Sequence, residues 1–324
     1  MKIKIILITG GCGFIGLNLI EKLINKHKYK IIVIDNESSG KVSDLLKIAK
    51  IEKNFSYDKS KVYFYRGDIL DIKICKKICK DVDYVFHLAA QTEILRSIKE
   101  LNYDFNVNLV GTLNMLEASR CNGIKKFIFA SSGSVLGNSK PPIKENDKQQ
   151  PMSPYASSKA SAEAYCSAYS SSYNLKTIIL RFSNVYGPRS HRQQNIIPKF
   201  IQNSLNEKVC PVYGDGNQSR DFIYVEDLVN AMLKLLNKNI NNQILHLGSN
   251  KETKIKVLIS NLRTKLKSKN IFMKTKTYKR NIGEVKKSFT SNSLAKSKLN
   301  WKPNTRLDQG LSKTINFFLE NRYD

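Results

Sequence analysis

The stretch Ile8–Gly16, read as ITGGCGFIG, places glycines at positions 10, 11, 13 and 16 between two apolar runs. Glycine inside a strand or helix is unfavourable for stability, so this spacing requires a local structural reason. The preceding residues, Ile3–Ile8, are rich in β-branched side chains and predict a strand. The following residues, Phe14–Ile24, carry apolar side chains at helical spacing. The glycines therefore mark a tight turn from a first strand into a first helix.

The spacing of Gly10, Gly13 and Gly16 suits a pyrophosphate bound at the N-terminus of that helix, where free N–H groups and the helix dipole favour anions. Gly10 would permit the turn, Gly13 the approach of the phosphate and Gly16 the packing of helix on strand. The next apolar run, Lys30–Ile34, is followed by Asp35, whose carboxylate can accept hydrogen bonds from ribose hydroxyls and would repel a 2′-phosphate. The motif predicts a dinucleotide site that favours NAD over NADP. A structural turn and a solvated loop aspartate are the alternatives.

The alternation of strand and helix continues along the chain. Strand-like runs lie at Val62–Tyr65, Tyr84–Leu88, Lys126–Phe129 and Thr177–Leu180, and helical stretches at Val107–Cys121 and Ala156–Tyr173. Apolar strands separated by helices indicate an α/β fold, a Rossmann-type doubly wound parallel sheet covered on both faces. We predict an NAD-binding domain over residues 1–185, to which residues 225–250 return. Residues 186–324 are predicted to form a smaller, discontinuous C-terminal lobe.

The composition is ordinary for a globular protein, with hydrophobic residues making up 41% of 324. No apolar run is long enough to span a bilayer and Met1–Lys4 shows no cleavable leader, so we expect a cytoplasmic protein without membrane contact. The six cysteines are scattered and none forms a Cys-x-x-Cys pair. We therefore expect reduced thiols, with neither a metal site nor a disulfide framework.

The formal net charge is +27, which is compatible with a nucleic acid or another anionic ligand. The lysines are spread along the whole chain, and no dense basic run alternates with aromatic residues. A compositional bias towards lysine explains the charge better than a binding surface does. Nucleic acid is accordingly not an expected partner.

A second motif, Pro154–Lys159, begins a helical stretch in which Tyr155 and Lys159 are four residues apart and share one face. A nearby ammonium favours the tyrosinate and lowers a phenol pKa that starts near ~10, so Tyr155 would act as a general base near neutral pH. Ser132 follows a strand-like run and would hydrogen-bond the reacting oxygen of a bound ligand beside Tyr155. The structural alternatives are an ordinary surface pair and a turn-forming serine.

These motifs together resemble the extended short-chain dehydrogenase/reductase family, specifically its NAD-dependent nucleotide-sugar epimerases and dehydratases. The resemblance covers essentially the whole chain. The matching segments are Thr9–Gly16, Asp35–Asn36, Gly67–Ile69, His87–Gln91, Asn108–Thr112, Ser131–Ser132, Tyr155 with Lys159, Leu180–Arg189, Tyr213–Phe222, Gly283–Val285 and Leu299–Pro303.

The resemblance implies roles for individual residues. The implied catalytic residues are Ser132, Tyr155 and Lys159. Those implied to bind NAD are Gly10, Gly13, Phe14, Ile15, Gly16, Asp35, Asn36, Asp68, Ile69, Leu88, Ala89, Ala90, Asn108, Tyr155 and Lys159. Those implied to bind a nucleotide sugar are Ser132, Ser134, Asn184, Arg220, Arg280, Glu284 and Ser288.

The implied reaction is 4-epimerisation of a UDP-sugar. Tyr155 removes the proton of the sugar 4-hydroxyl while hydride passes to NAD, the 4-keto sugar turns in the site, and hydride returns to the opposite face. Dehydratases of the family typically carry Asp-Glu after the active-site hydroxyl residue, whereas Gly133 and Ser134 follow Ser132 here. That difference disfavours dehydration, because neither residue can act as acid or base.

The sugar itself is suggested by Ser288, four residues after Glu284. In the 4-epimerases this place resembles a gate beside the sugar 2-substituent, where a small residue leaves room for an N-acetyl group. The expected substrates are UDP-glucose/galactose, UDP-N-acetylglucosamine/N-acetylgalactosamine, or both. UDP-glucuronate is an alternative, whose carboxylate His191 or Arg192 could meet.

Two further alternatives stay open. One is a 4-keto nucleotide-sugar reductase, which must exchange its cofactor with solvent. The other belongs to a different class, a non-catalytic NAD- or RNA-binding protein on the same fold. The resemblance also implies a homodimer, formed through a four-helix bundle of residues 97–121 and 152–173 from each chain.

Overall fold

A computed structural model of the chain describes residues 3–52, 62–279 and 285–321. The chain divides into two compact units. Unit 1 comprises Met1–Val135, Pro151–Arg181 and Met232–Leu245, and unit 2 comprises Leu136–Gln150, Phe182–Ala231 and His246–Asp324. The assignment of a cofactor role to residues 1–185 and a substrate role to residues 186–324 stays a prediction.

The regular elements alternate as the sequence predicts. The strands are β1 Lys4–Thr9, β2 Tyr29–Asp35, β3 Ile51–Glu52, β4 Val62–Arg66, β5 Tyr84–His87, β6 Lys126–Ser132, β7 Thr177–Phe182, β8 Asn184–Tyr186, β9 Cys210–Tyr213, β10 Ser219–Arg220, β11 Phe222–Tyr224, β12 Gln243–Leu247, β13 Thr253–Lys254 and β14 Thr275–Tyr278. The helices are α1 Phe14–Ile24, α2 Val42–Leu46, α3 Ile72–Ile78, α4 Ile94–Lys99, α5 Leu101–Phe105, α6 Gly111–Cys121, α7 Pro154–Tyr173, α8 Ile196–Leu205, α9 Val225–Lys234, α10 Ile255–Lys267, α11 Ser293–Leu299 and α12 Leu307–Glu320.

Eight strands form one sheet in the order β12-β7-β6-β5-β1-β2-β4-β3. Strand β1 pairs in parallel with β2 on one side and with β5 on the other, so Thr9 is level with both Ile34 and His87. The strand order reverses at β1. In open α/β sheets, ligands bind outside the carboxyl ends of the strands at such a point. This topology confirms the predicted Rossmann-type α/β fold.

The core of unit 1 lies between the sheet and its helices. Strand residues such as Leu7, Val85 and Phe127 are fully buried and pack with Met115 of α6 and Cys166 of α7. Near-continuous apolar strands need cover on both faces, which the helices provide. Removing this apolar area from water stabilises the unit by roughly 25 cal/mol for each Å² buried.

Unit 2 has its own core, in which α8, α10 and α12 pack together with the buried residues Phe200, Leu258 and Leu311. Short strand pairs complete the unit: β8 with β11, β9 with β14, and β10 with β13. The carboxylate of Asp227 accepts hydrogen bonds from the backbone N–H groups of Asn304 and Thr305, which fixes the segment leading into α12.

One predicted helix differs from the observed one. The pattern predicts a continuous helix over Val107–Cys121, whereas the structure has a π-helical turn, Asn106–Val110, before α6. The wider turn brings the Asn108 carboxamide to buried polar partners described below, and such turns are frequent at functional sites. Within the described ranges, no helix has the length and hydropathy required to cross a membrane.

Candidate active site

The glycine turn joins β1 to α1 at the point where the strand order reverses. Gly10 has a φ of +67°, and a Cβ there would lie 2.7 Å from the backbone nitrogen of Ala89. Gly13 is the N-cap residue of α1 and offers no side-chain cap, and the first helical turn, which contains Phe14 and Ile15, has no acidic residue. The first N–H groups of α1 therefore lack intrahelical partners, and no carboxylate of that turn opposes an anion. The turn fits the pyrophosphate of a dinucleotide.

The segment Leu88–Ala90 follows β5 and is held beside the glycine turn. The backbone N–H of Leu88 donates to the carbonyl of Thr9 at 3.1 Å, and that of Ala89 donates to Thr9 Oγ1 at 3.1 Å. Three residues predicted to bind NAD thus adjoin the turn predicted to hold its pyrophosphate. The close approach explains why only glycine fits at position 10.

The acidic residue at the end of β2 is buried. Asp35 accepts backbone hydrogen bonds from Cys12 at 2.9 Å and Glu37 at 2.8 Å, and burial raises the pKa of its carboxyl group. The next residue, Asn36, is exposed and donates to the Asp68 carboxylate at 2.9 Å. Asn36 and Asp68, both predicted to bind NAD, therefore lie together next to Asp35. Their acidic character suits ribose hydroxyls and opposes a 2′-phosphate.

Ile69, also predicted to bind NAD, is buried in the core of unit 1. The sequence analysis did not select Glu37, which is also buried and forms an ion pair with the exposed Arg66. Hydrogen bonding, chiefly from the backbone N–H of Val42, lowers the pKa of Glu37. A second buried carboxylate near Asp35 adds to the repulsion of an additional phosphate.

The three predicted catalytic residues come together in unit 1. Ser153 caps α7 by accepting a hydrogen bond of 3.2 Å from the Ala156 N–H, and the helix starts at Pro154. The Tyr155 phenol, in the first turn of the helix, interacts with the side chain of Ser132 at the end of β6, which lowers the phenol pKa. One turn later, Lys159 Nζ donates to the backbone carbonyl of Ala130 at 2.9 Å. Hydroxyl, phenol and ammonium thus converge at the carboxyl end of β6.

In the protein without a bound cofactor, the pKa of Tyr155 lies above its usual value and not below it. Burial raises the pKa of Tyr155 to about 12, and the Ser132 side chain, which lowers it, only partly opposes this effect. Burial also lowers the pKa of Lys159 to about 8. The low-dielectric surroundings disfavour the charged form of each group.

Asn108 lies fully buried in the π-helical turn. Its carboxamide oxygen accepts from the Gln91 N–H at 3.0 Å, and its Nδ2 donates to the Gln91 carbonyl and to Asp104, each at 3.0 Å. The side chain therefore clamps the backbone that follows Leu88–Ala90. The predicted role of Asn108 in NAD binding would therefore be exerted through that segment.

A buried ion pair joins α7 to β7. Arg181 on β7 and Glu163 on α7 form a bidentate pair with a closest distance of 2.7 Å, and both side chains are 2% exposed. The hydroxyl of Ser131, next to Ser132, donates to the same carboxylate. The sequence analysis missed this network, since the only local signal is that Glu163 lies one turn after Lys159.

Three predicted substrate residues lie on adjoining segments of unit 2. Arg220 Nη1 donates to the carbonyls of Ser219 and Val285, each at 2.8 Å. The N–H of Ser288 donates to the Ser219 carbonyl at 3.2 Å. Asn184 is exposed, and its Nδ2 donates at 3.2 Å to the carbonyl of the residue after Arg220. The structure therefore gathers these residues around β10.

The other predicted substrate residues differ in placement. Arg280 and Glu284 lie outside the described residues. Ser134 belongs to unit 1, and its N–H donates to Ser132 Oγ at 3.2 Å. Its own Oγ is buried and has no hydrogen-bond partner in the part of the chain that the structure describes. A polar atom of this kind is available to a ligand.

Comparison with known proteins places these observations in a family. Residues 6–248 match the NAD dependent epimerase/dehydratase family. A UDP-glucose 4-epimerase from Thermotoga maritima, solved with UDP-glucose, is 34% identical over 98% of this chain and 99% of its own, with a TM-score of 0.88. A UDP-N-acetylglucosamine 4-epimerase from Methanobrevibacter ruminantium, solved with UDP-N-acetylmuramic acid, is 34% identical over 99% of both chains, with a TM-score of 0.87. A UDP-glucuronate 4-epimerase from Thermodesulfobacterium geofontis is 32% identical over 97% of this chain and 96% of its own.

Proposed function

This chain belongs to the NAD dependent epimerase/dehydratase family, with NAD as cofactor, and we propose that it is a UDP-sugar 4-epimerase acting through a transient 4-keto sugar. The observation that carries the proposal is the cluster of Ser132, Tyr155 and Lys159, in which Lys159 Nζ donates to the Ala130 carbonyl on the strand that ends at Ser132. It lies at the carboxyl edge of the sheet, in the same unit as the glycine turn. Ligands of open α/β sheets bind at that edge.

The chain's own residues bind, orient and move a proton. We propose that Tyr155 Oη accepts the proton of the sugar 4-hydroxyl and later returns it, and that Ser132 Oγ hydrogen-bonds the same oxygen. When bound, NAD supplies the hydride chemistry: acceptance of a hydride from the sugar C4 and its return to the same carbon. The glycine turn would hold its pyrophosphate, and Lys159 its nicotinamide ribose.

The pKa values of Tyr155 and Lys159 indicate that removal of the phenol proton requires nearby positive charge. With a pKa of about 12, the Tyr155 phenol is protonated at neutral pH. Lys159, with a pKa of about 8, carries a positive charge there. Loss of the phenol proton therefore depends on positive charge in a buried site, where each charge acts strongly. Lys159 is the cation that this chain provides one helical turn away.

Epimerisation is favoured over dehydration by the residues after Ser132. The 3₁₀ turn Gly133–Leu136 contains no carboxylate, amine or imidazole. Elimination of water from a 4-keto sugar needs a further acid and base beside the reacting carbons. Simple return of hydride needs neither.

Unit 2 supplies the residues that we propose bind the nucleoside diphosphate and the sugar. Arg220 suits a pyrophosphate because its planar guanidinium donates parallel hydrogen bonds. Asn184, Arg280 and Glu284 are proposed as further contacts. Ser288 is small and half-buried on the segment bonded to Ser219, and we propose that it admits a 2-N-acetyl group.

UDP-glucuronate stays the second candidate. Of the two residues that could meet its carboxylate, Arg192 is exposed, whereas His191 is 6% exposed. An exposed guanidinium can pair with an anionic sugar without the desolvation that a buried imidazole requires. Arg192 is therefore the better candidate of the two.

A homodimer is proposed from an apolar surface of unit 1. Helices α4, α5 and α7 pack against one another. Their exposed large apolar residues are Ile94, Leu95, Ile98, Leu101, Phe105, Tyr165 and Tyr173. Exposed large apolar residues on helices that pack together indicate an interaction site, and we propose that a second copy buries them in the four-helix bundle.

The deciding experiment incubates the purified protein separately with UDP-glucose, UDP-N-acetylglucosamine and UDP-glucuronate in D₂O. We expect inversion at C4 of at least one sugar, with no deuterium in the product, because the abstracted hydride returns to the same carbon. NMR of the products measures both. Absence of C4 inversion with all three sugars, or a product that has lost water, would contradict the proposal.

A further inference from the structure

The carboxylate of Asp104, which no sequence motif indicated, hydrogen-bonds Ser158, a residue between Tyr155 and Lys159 on α7. Asp104 of α5 is 1% exposed. One of its oxygens accepts hydrogen bonds from Gln91 Nε2 at 2.8 Å and Asn108 Nδ2 at 3.0 Å. The other accepts from Ser158 Oγ at 2.8 Å. Every bond that it accepts comes from a neutral group.

These bonds join two parts of the candidate site. Gln91 ends the segment that begins with Leu88–Ala90 and lies beside the glycine turn. Ser158 lies on α7 between Tyr155 and Lys159, and its hydroxyl also approaches the Tyr155 carbonyl at 3.0 Å. Asp104 therefore connects the cofactor segment to the first turn of the catalytic helix.

The charge of Asp104 is not cancelled by an ion pair. Within the described ranges, no lysine or arginine lies at ion-pair distance from its carboxylate. Of the charged groups on the elements packed around it, Lys159 instead donates to Ala130, and Glu163 is paired with Arg181. The imidazole of His87 on β5 is neutral, because burial lowers its pKa to about 3.

We propose that Asp104 is a positioning residue for the Tyr155–Lys159 pair: it fixes α7 to the cofactor segment through Ser158 and Gln91, and its uncancelled negative charge sets the pH range in which the pair works. This inference rests on the proposed function only for its kinetic consequence. The geometry and the charge belong to the protein alone.

The direction of the charge effect follows from electrostatics. Asp104 raises the pKa of both Tyr155 and Lys159, since a nearby negative charge disfavours a phenolate and favours an ammonium. Neutralising it lowers both pKa values. Tyrosinate then forms at lower pH and the ammonium is also lost at lower pH, so both limbs of a bell-shaped rate profile move to lower pH.

The test compares Asp104→Asn with Ser158→Ala. Asparagine keeps the shape, its oxygen can accept from both amides, and its Nδ2 can donate to the Ser158 hydroxyl, which also acts as an acceptor. Asp104→Asn therefore removes the charge and preserves the connection. Ser158→Ala removes one link of the connection and preserves the charge.

The first readout needs no substrate. In protein labelled with ¹³Cζ-tyrosine, the resonance lost in Tyr155→Phe identifies Tyr155. We expect it to titrate lower in Asp104→Asn than in the wild type, by on the order of one pH unit, and to stay close to the wild-type position in Ser158→Ala. Coincident titrations of Asp104→Asn and the wild type would overturn the proposal.

The second readout is the pH profile of kcat with the best UDP-sugar. Asp104→Asn should shift both limbs to lower pH, whereas Ser158→Ala should lower kcat several-fold without moving them. If Asp104→Asn does not fold, unchanged kcat in Ser158→Ala overturns the positioning role. If Tyr155 titrates as expected but no sugar is epimerised, the proposed function fails and this inference stands. If turnover occurs with unshifted limbs, this inference fails and the function stands.

Discussion

The ammonium of Lys159 donates a hydrogen bond of 2.9 Å to the backbone carbonyl of Ala130, two residues before Ser132 on the same strand. The bond ties α7 to β6, and the ammonium also lies 4.8 Å from the centroid of the Phe129 ring. Because Tyr155 precedes Lys159 by one helical turn, the same bond fixes where the phenol meets Ser132. The ammonium thus has a structural partner in the protein itself, besides any role towards a ligand.

Tyr155→Phe should abolish epimerisation, because it removes the only atom proposed to accept the sugar proton. General bases typically contribute about 10²–10⁴-fold to a rate, and we expect kcat to fall by that factor while NAD stays bound. Turnover is measured by product NMR and retained NAD by release from denatured protein. Tyr165→Phe, an exposed position on the same helix, is the matched control. Wild-type turnover in Tyr155→Phe would exclude this base.

Gly10→Ala should destabilise the protein and abolish NAD binding. Gly10 has a φ of +67° and no room for a Cβ beside Ala89, whereas Gly123 has a φ of +63° and open space around it. Gly123→Ala therefore shows the backbone strain alone, roughly 1–2 kcal/mol. Chemical denaturation should give a larger loss for Gly10→Ala, and a fluorescence titration should show NAD binding only in Gly123→Ala. Equal stability of the two variants would argue against the close approach.

His87 should make the protein sensitive to mild acid. Its ring nitrogens lie 2.8 Å from Thr9 Oγ1 and 3.1 Å from Thr112 Oγ1, and burial lowers its pKa from 6.5 to about 3. The unfolded state therefore binds a proton below pH 6.5 that the folded state does not. The stability that neutral His87 contributes is fully present above pH 6.5. It is lost as the pH falls towards 3, by about 1.4 kcal/mol per pH unit.

The measurement is the free energy of unfolding between pH 6.5 and 5 for the wild type and His87→Gln. The variant should show the shallower dependence, whatever its absolute stability. His27→Asn, at an exposed position, controls for the loss of a histidine as such. Parallel curves for the wild type and His87→Gln would refute the assignment.

Leu95→Asp should convert a dimer into a monomer, because it places a charge in the exposed apolar surface of α4, where Leu95 is 61% exposed. Light scattering after size-exclusion chromatography should show the molar mass halved. Leu46→Asp introduces the same charge at a residue 58% exposed on α2, outside that surface, and should leave the mass unchanged. A monomeric wild type would rule out the proposed dimer.

Ser288→Tyr should discriminate between sugars. If this position borders the 2-substituent, an aromatic ring there should lower kcat/KM for UDP-N-acetylglucosamine by roughly ten-fold or more, with UDP-glucose little affected. Ser288→Ala keeps the space and should retain both activities. An equal loss for both sugars in Ser288→Tyr would mean that the ring disturbs the site in general.

Local features of the fold could be predicted because they depend on neighbours in the sequence. The predicted helix Phe14–Ile24 matches the observed bounds, since apolar periodicity and the glycine turn identify it. The π-helical turn at Asn106–Val110 could not be predicted in this way. It depends on Gln91 and Ser158, which are distant in sequence and satisfy the buried Asn108 carboxamide.

By itself, the sequence determined the α/β class and the glycine turn and indicated the residues that we propose react, because strand and helix periodicity and residue chemistry depend on the local sequence. Only the tertiary structure decided their protonation. Burial sets the pKa of Tyr155 and Lys159, and Asp104 reaches α7 through Ser158, 54 residues away in the chain. Desolvation and electrostatic energies depend on what surrounds a group in three dimensions, and that arrangement exists only after the chain has folded.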